Sequence, residues 1–116
     1  MISGINLNET VDYTLKDDTE NPTVWKIGVL PSSLSGRINT SETDQVLIFY
    51  KYLQFALRGW ENSDVPFEVA KEKHFGKEYV VVPMSVLDKF EMKVIVELYV
   101  EAMRLARLTD TERKNS

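Results

Sequence analysis

Two long segments of the chain combine helical periodicity with narrow polar faces, and they constrain the fold more than any other feature. In residues 44–60 the polar side chains fall within about 100° of the helical wheel, which leaves an apolar arc of about 220°. In residues 91–108 the polar face spans about 120°. A surface helix of a globular protein needs a narrower apolar stripe. We therefore expect each helix either to lie at the centre of the domain or to contact a partner.

The first part of the chain carries strand patterns. Residues 10–16 alternate between apolar and polar side chains, which is typical of a half-buried strand. Residues 23–30 are apolar and partly β-branched, which predicts a second strand after an acidic, turn-prone loop. Residues 31–43 are rich in Ser, Thr, Gly and Asn, so an irregular segment is expected there.

A β-hairpin is predicted between the two long helices. Its strands are residues 66–72 and 77–82, joined by a turn at residues 73–76. His74 lies in that turn, where we expect it to be exposed.

A short helical turn over residues 85–90 follows the hairpin, since Ser85 and Asp88 form a capping-box-like start. The predicted fold class is α+β, with short N-terminal strands, a long helix, a β-hairpin and a C-terminal helix. We expect a single domain over residues 1–116, with residues 1–9 and 109–116 flexible.

The composition narrows the chemistry that the chain can perform. Its 116 residues include no cysteine and a single histidine, and the formal net charge is −4. Disulfides, thiolate nucleophiles and cysteine zinc sites are therefore excluded. The negative charge argues against general binding to nucleic acid or to anionic membranes. The glycines are scattered and form no phosphate-binding loop, so we expect a non-enzymatic protein with no catalytic residue, cofactor or metal.

Two further features bear on cations and on location. The acidic residues Asp17, Asp18 and Glu20 lack the alternating oxygen ligands and glycine turn of a calcium loop, so a solvated loop is expected. No apolar run approaches the roughly 20 residues that span a bilayer, and the first thirteen residues do not resemble a secretory signal. These features favour a protein of the cytoplasm.

The surplus of apolar surface predicts a site for a partner or a second copy. The core faces of the two helices are assigned to Phe49, Leu53, Ala56 and Trp60, and to Ile95, Tyr99, Ala102 and Ala106. The margins beside these faces form the predicted interaction surface, which consists of Tyr50, Tyr52, Phe55, Leu57, Met92, Val96 and Met103. The alternative is that the strands and residues 31–43 cover these margins and leave a monomer.

Two stretches of sequence carry a resemblance to a known family. Residues 21–28 are NPTVWKIG, and residues 55–62 are FALRGWEN, followed by Val65-Pro66-Phe67 and the predicted hairpin. This combination resembles the diverse tail assembly chaperones of tailed bacteriophages. The resemblance covers residues 10–105 and includes no catalytic motif.

The resemblance implies a non-enzymatic protein of the infected host's cytoplasm. Such a protein binds the phage tape measure protein, keeps it soluble and helps tail-tube subunits to polymerise, and it often forms homo-oligomers. Neither nucleic acid nor membrane is expected as a partner. The alternative is a structural protein of the virion, such as a head–tail connector or a minor tail component.

Overall fold

The computed structural model describes residues 1–2, 4–108 and 112–113. The elements of this part of the chain, in order, are β1 (Thr10–Tyr13), β2 (Val24–Gly28), α1 (Ser32–Ser41), α2 (Gln45–Ala56), β3 (Leu57–Glu61), β4 (Ala70–His74), β5 (Lys77–Val81), α3 (Met84–Leu87) and α4 (Met92–Ala106). The predicted α+β class, with N-terminal strands, a hairpin and a C-terminal helix, is confirmed. The prediction that residues 109–116 are flexible falls largely outside the described residues, since only residues 112–113 of this stretch are described.

An antiparallel sheet in the order β1-β2-β3 forms one side of the molecule. Its central strand places Trp25 opposite Trp60 of β3, and their ring centroids are 5.3 Å apart. The ring of Phe90 lies against both tryptophans, 5.1 Å from Trp25 and 5.3 Å from Trp60. This aromatic cluster joins the sheet to the segment that enters α4.

Residues 31–43 were expected to be irregular, and that prediction is wrong. Ten of them form α1, which buries Leu34 and Ile38. These two apolar residues are four positions apart and therefore lie on one face of the helix. The helix was not predicted because the small polar residues around them, Ser, Thr and Asn, individually favour turns.

The long helix predicted over residues 44–60 ends early. Asp44 caps α2 by accepting a hydrogen bond from the Val46 backbone N–H at 2.9 Å. The helix stops at Ala56, and Leu57 continues directly in extended conformation as the first residue of β3. Strand β3 buries Leu57 and Trp60 and exposes Arg58 and Glu61, so pairing with β2 overrides the helical pattern.

The predicted hairpin is confirmed, although its first strand starts later, at Ala70. Phe75 and Gly76 form the two-residue turn, with φ angles of 53° and 78°. Positive φ at both central positions is typical of the turns that match the twist of a hairpin, and Gly adopts it without strain.

Helix α2 lies at the centre of the fold, where it contacts α1, α3, α4 and β5. The side chain of Gln54 is buried and donates to the Val82 carbonyl at 2.9 Å and to the Glu72 carboxylate at 3.3 Å. These bonds connect α2 to both strands of the hairpin region. Because a buried amide needs partners, they also fix the rotation of the helix.

Helices α2 and α4 run antiparallel. The ring of Phe49, in the N-terminal half of α2, is 4.4 Å from that of Tyr99 in the middle of α4. At the opposite end, Trp60 beyond the C-terminus of α2 contacts Phe90, which precedes α4. The start of α2 and the end of α4 therefore lie at the same end of the molecule.

Candidate functional site

The part of the predicted interaction surface that lies on α2 and at the start of β3 is buried. Tyr50, Tyr52, Phe55 and Leu57 are 9%, 1%, 8% and 2% exposed. These side chains belong to the core of the chain, so their assignment to an exposed margin is wrong. The alternative set out above, that strands and residues 31–43 cover the margins, holds for this helix.

Particular neighbours cover these side chains. The Phe55 ring packs edge to face against Tyr79 of β5 and His74 of β4, with centroids 5.2 Å away in each case. Burial raises the pKa of Tyr52, while the Ser35 side chain of α1 acts in the opposite direction. Leu57 faces the core from β3 instead of extending the helix.

The part of the predicted surface that lies on α4 is accessible. Met92 is 45% exposed, and Val96 and Met103 are half-buried. Val100, which the prediction omitted, is 59% exposed. These four residues lie within about 80° on one face of the helix, and we refer to them as the α4 stripe.

Val100 was missed because it lies within the arc of the polar face, between Arg107 and Lys93. On the helical wheel it is about 20° from Lys93 and about 40° from Val96. Val100 is four residues from Val96 and eight from Met92, and this helical spacing could have assigned it to the predicted interaction surface.

Another side of α4, which carries Glu97, is hydrogen-bonded to β1 and to the residues that follow it. The Tyr13 hydroxyl donates to Glu97 Oε2 at 2.6 Å, and the Lys16 backbone N–H donates to the same oxygen at 2.9 Å. Burial, followed by the hydrogen bond to Glu97, raises the pKa of Tyr13. On the helical wheel Glu97 lies about 60–140° from the residues of the α4 stripe, so these bonds leave the stripe accessible.

Two apolar side chains of α2 are also accessible. Val46 and Leu47 in the first turn of α2 are 40% and 39% exposed. Val46 lies one turn before Phe49, and Met103 lies one turn after Tyr99. Since the two helices are antiparallel and Phe49 contacts Tyr99, Val46 and Met103 lie at the same end of the helix pair.

Charged groups flank the α4 stripe. Arg104 Nη2 lies 2.5 Å from Glu101 Oε1, and this hydrogen bond raises the pKa of Arg104. Lys93 and Glu91 form a looser, exposed pair at 3.8 Å. Such pairs contribute little to folding and form a polar rim beside an apolar centre, as in many protein interfaces.

A cavity of about 440 Å³ lies between the 15–23 loop, the 63–65 turn and the start of α4. Two of its five carboxylates accept hydrogen bonds within the chain: Asp18 accepts the Thr23 backbone N–H at 2.9 Å, and Glu97 accepts Tyr13 and Lys16. Among the described residues no group of three acidic or histidine side chains could hold a metal ion.

A second cavity, of about 420 Å³, has different walls. Apart from Arg58 and Tyr79, the side chains that line it are apolar: Leu7, Leu30, Pro31, Leu34, Phe55, Leu57, Phe67, Val69, Val80, Val81 and Val82. We call this cavity the Arg58 groove. It lies among β3, β5 and the start of α1.

His74 does not lie in the hairpin turn as expected. It is the last residue of β4, and its half-buried ring places Nε2 2.9 Å from Glu72 Oε1. The same carboxylate accepts the Gln54 amide, so the imidazole belongs to the network that joins α2 to the hairpin.

Comparison of the chain with protein-family models, with curated proteins and with solved structures found no match. Within the described part of the chain, every helix is too short or too polar to cross a membrane.

Proposed function

We propose that this protein is a tail assembly chaperone of a tailed bacteriophage, and that the α4 stripe binds its partner. The partner is the phage tape measure protein or the tail-tube protein, in the cytoplasm of the infected host. The protein acts without catalysis and forms homo-oligomers. The observation that carries the binding function is the exposed apolar face of α4, in which Val100 is the most exposed residue at 59%.

The sequence resemblance supports the tail context. The two stretches that carry it, residues 21–28 and 55–62, contain the adjacent antiparallel strands β2 and β3. The Asn62 side chain donates to the carbonyls of Asn21 at 2.6 Å and Pro22 at 3.2 Å. The two stretches therefore form one structural unit, which favours treating them as a single shared feature.

The chemistry of the α4 stripe supports partner binding. Full burial of a Val or Met side chain contributes about 1.5–3 kcal/mol, so four partly exposed side chains offer several kcal/mol to an interface. Methionine adapts its shape to irregular surfaces, and two of the four residues are methionines.

The test is binding of purified tape measure and tail-tube proteins to the wild type and to two variants, with sedimentation to measure self-association. Val100→Glu places a charge in the α4 stripe and should weaken association about tenfold or more. Val80→Glu is the matched control, because Val80 is 63% exposed but lies on β5. A wild type that stays monomeric at high concentration and binds neither tail protein would defeat the proposal.

Mass spectrometry of purified virions separates the chaperone from the structural alternative. A chaperone is absent from the finished particle, whereas a head–tail connector or minor tail component is recovered in stoichiometric amounts. Stoichiometric recovery would reject the chaperone function and leave the structural one.

A further inference from the structure

The guanidinium of Arg58 is held in place by neutral acceptors. Its Nε donates to the Phe55 carbonyl at 3.0 Å, Nη1 to the Leu7 carbonyl at 3.0 Å, and Nη2 to the Val29 carbonyl at 3.1 Å. These bonds attach the side chain to three separate segments of the chain.

The same guanidinium lies directly over the backbone of β2. A Cβ atom added at Gly28 would lie 2.7 Å from Arg58 Cζ. Glycine at this position therefore allows the guanidinium to approach the backbone of β2 closely, and the strand packs against one side of the charged group. The three carbonyls and the backbone of β2 together hold the guanidinium in one preferred orientation.

No carboxylate pairs with Arg58 within the part of the chain that the structure describes. Partial burial lowers the pKa of Arg58, and no acidic group acts in the opposite direction. The positive charge is thus partly desolvated and lacks a counter-charge from these residues. A bound anion would supply one.

The guanidinium also retains donors for such an anion. Arginine carries five N–H groups, and three of them are used by the carbonyls of Phe55, Leu7 and Val29. One N–H on each terminal nitrogen remains. A carboxylate accepts charge-assisted hydrogen bonds from such guanidinium donors.

The Arg58 groove supplies the complementary apolar part of a site. Its volume of about 420 Å³ lies within the range of about 300–1,000 Å³ for small-molecule sites. Three lining residues, Leu7, Val69 and Val80, are exposed although their side chains are apolar. An apolar ligand would remove these surfaces from water.

We propose that the Arg58 groove binds a small amphipathic carboxylate of the fatty-acid class, with the carboxylate on Arg58 and the alkyl chain along the apolar walls. This site is separate from the α4 stripe and goes beyond the proposed function. An alkyl chain fits better than a peptide, because a peptide brings N–H and C=O groups that need partners. Among the lining side chains, Arg58 and Tyr79 alone carry polar groups.

The experiment is calorimetric titration of the full chain with decanoate, with decanol and with a peptide that ends in apolar residues and a free carboxylate. Decanoate should bind, and decanol should bind about tenfold more weakly or not at all, because it lacks the charge that Arg58 recognises. The Arg58 Nε–H signal in NMR spectra should shift on addition of decanoate.

The variants Val80→Glu and Val100→Glu exchange their roles as test and control. Val80→Glu places a carboxylate in the wall of the Arg58 groove, where it competes for Arg58, and should reduce decanoate affinity about tenfold or more. Val100→Glu should leave that affinity unchanged. Equal binding of decanol and decanoate, binding that ignores Val80→Glu, binding of the peptide in place of decanoate, or no binding of decanoate would each overturn the proposal.

Discussion

Helices α2 and α4 have similar wide apolar arcs in the sequence, but the structure uses them differently. Helix α2 contacts α1, α3, α4 and β5, whereas α4 packs chiefly against α2 and keeps an exposed apolar face. The width of an apolar arc therefore does not show whether a helix is central or binds a partner. That depends on how many other elements cover it, and here α1 and the hairpin cover α2.

The largest expected effect comes from a substitution that creates a cavity beside α2. Leu53 is fully buried, so Leu53→Ala should lower the free energy of unfolding by about 2–5 kcal/mol, measured by urea denaturation. The matched change on the accessible helix, Val100→Ala, should alter it by less than about 0.5 kcal/mol. Similar losses for the two variants would remove the distinction between the helices.

The next prediction concerns the end of α2, which Arg58 holds through the Phe55 carbonyl. Gly28→Ala should push the guanidinium away and weaken its carbonyl hydrogen bonds, with a loss of about 1–3 kcal/mol in the free energy of unfolding. Gly59→Ala is the control, because the nearest atom to its added Cβ is 3.6 Å away, in the Lys26 side chain. If Gly28→Ala leaves the free energy of unfolding unchanged, the close contact between Gly28 and the guanidinium does not fix Arg58.

A third prediction addresses what fixes α4 on its sheet side. Tyr13→Phe removes the hydroxyl that donates to Glu97, and should lower the free energy of unfolding by about 1–2 kcal/mol. Since the pKa of Tyr13 is raised on folding, the unfolded chain loses this proton first. Wild-type stability should therefore fall as the pH rises above about 10, and Tyr13→Phe should flatten that fall. Identical pH dependence in the two proteins would contradict the role of this hydroxyl.

A smaller effect of opposite sign is expected in α1. A Cβ added at Gly36 meets no atom within 4 Å, and the residue lies inside a helix. Gly36→Ala should raise the free energy of unfolding by about 0.5–1 kcal/mol. Because α1 covers α2, the gain should appear in the global unfolding transition. A change confined to the hydrogen exchange of α1 would indicate that α1 unfolds locally, independently of the rest of the chain.

The α4 stripe should show the smallest effect on folding. Val100→Glu places a charge at an exposed position, so the free energy of unfolding should change by less than about 0.5 kcal/mol while association is lost. Loss of stability together with association would mean that α4 needs Val100 for folding.

Local patterns predicted most elements of this fold. The alternation in residues 10–16 and the hairpin turn at Phe75 and Gly76 are signals carried by a few neighbouring residues, and both elements are present. The C-terminal helix was also predicted within two residues of each end.

Two elements depended on contacts between distant residues. Helix α1 has Leu34 and Ile38 as its buried residues, so its pattern is too short to stand out against Ser, Gly and Asn. Residues 57–61 continue the helical pattern of α2, and their pairing with β2 is a tertiary effect. Because α1 was missed, Tyr52 was assigned to the surface, and because β3 was missed, so was Leu57.

The candidate sites were predicted to a smaller extent. Three of the four residues in the α4 stripe came from helical spacing. The Arg58 groove could not be predicted, because it brings together Leu7, Val29 and Arg58, which are far apart in the chain.

The direct passage from α2 to β3 limits how sequences of this type can change in length. No residue separates the helix from the strand, and the Leu57 N–H still donates to the Leu53 carbonyl of α2. One residue inserted after Ala56 would move Trp60 to the exposed position of Glu61 and Leu57 to that of Arg58. Insertions and deletions should therefore accumulate in the 14–23 and 62–69 loops and avoid this junction, which makes it the position where sequence alignments of related chains should contain no gaps.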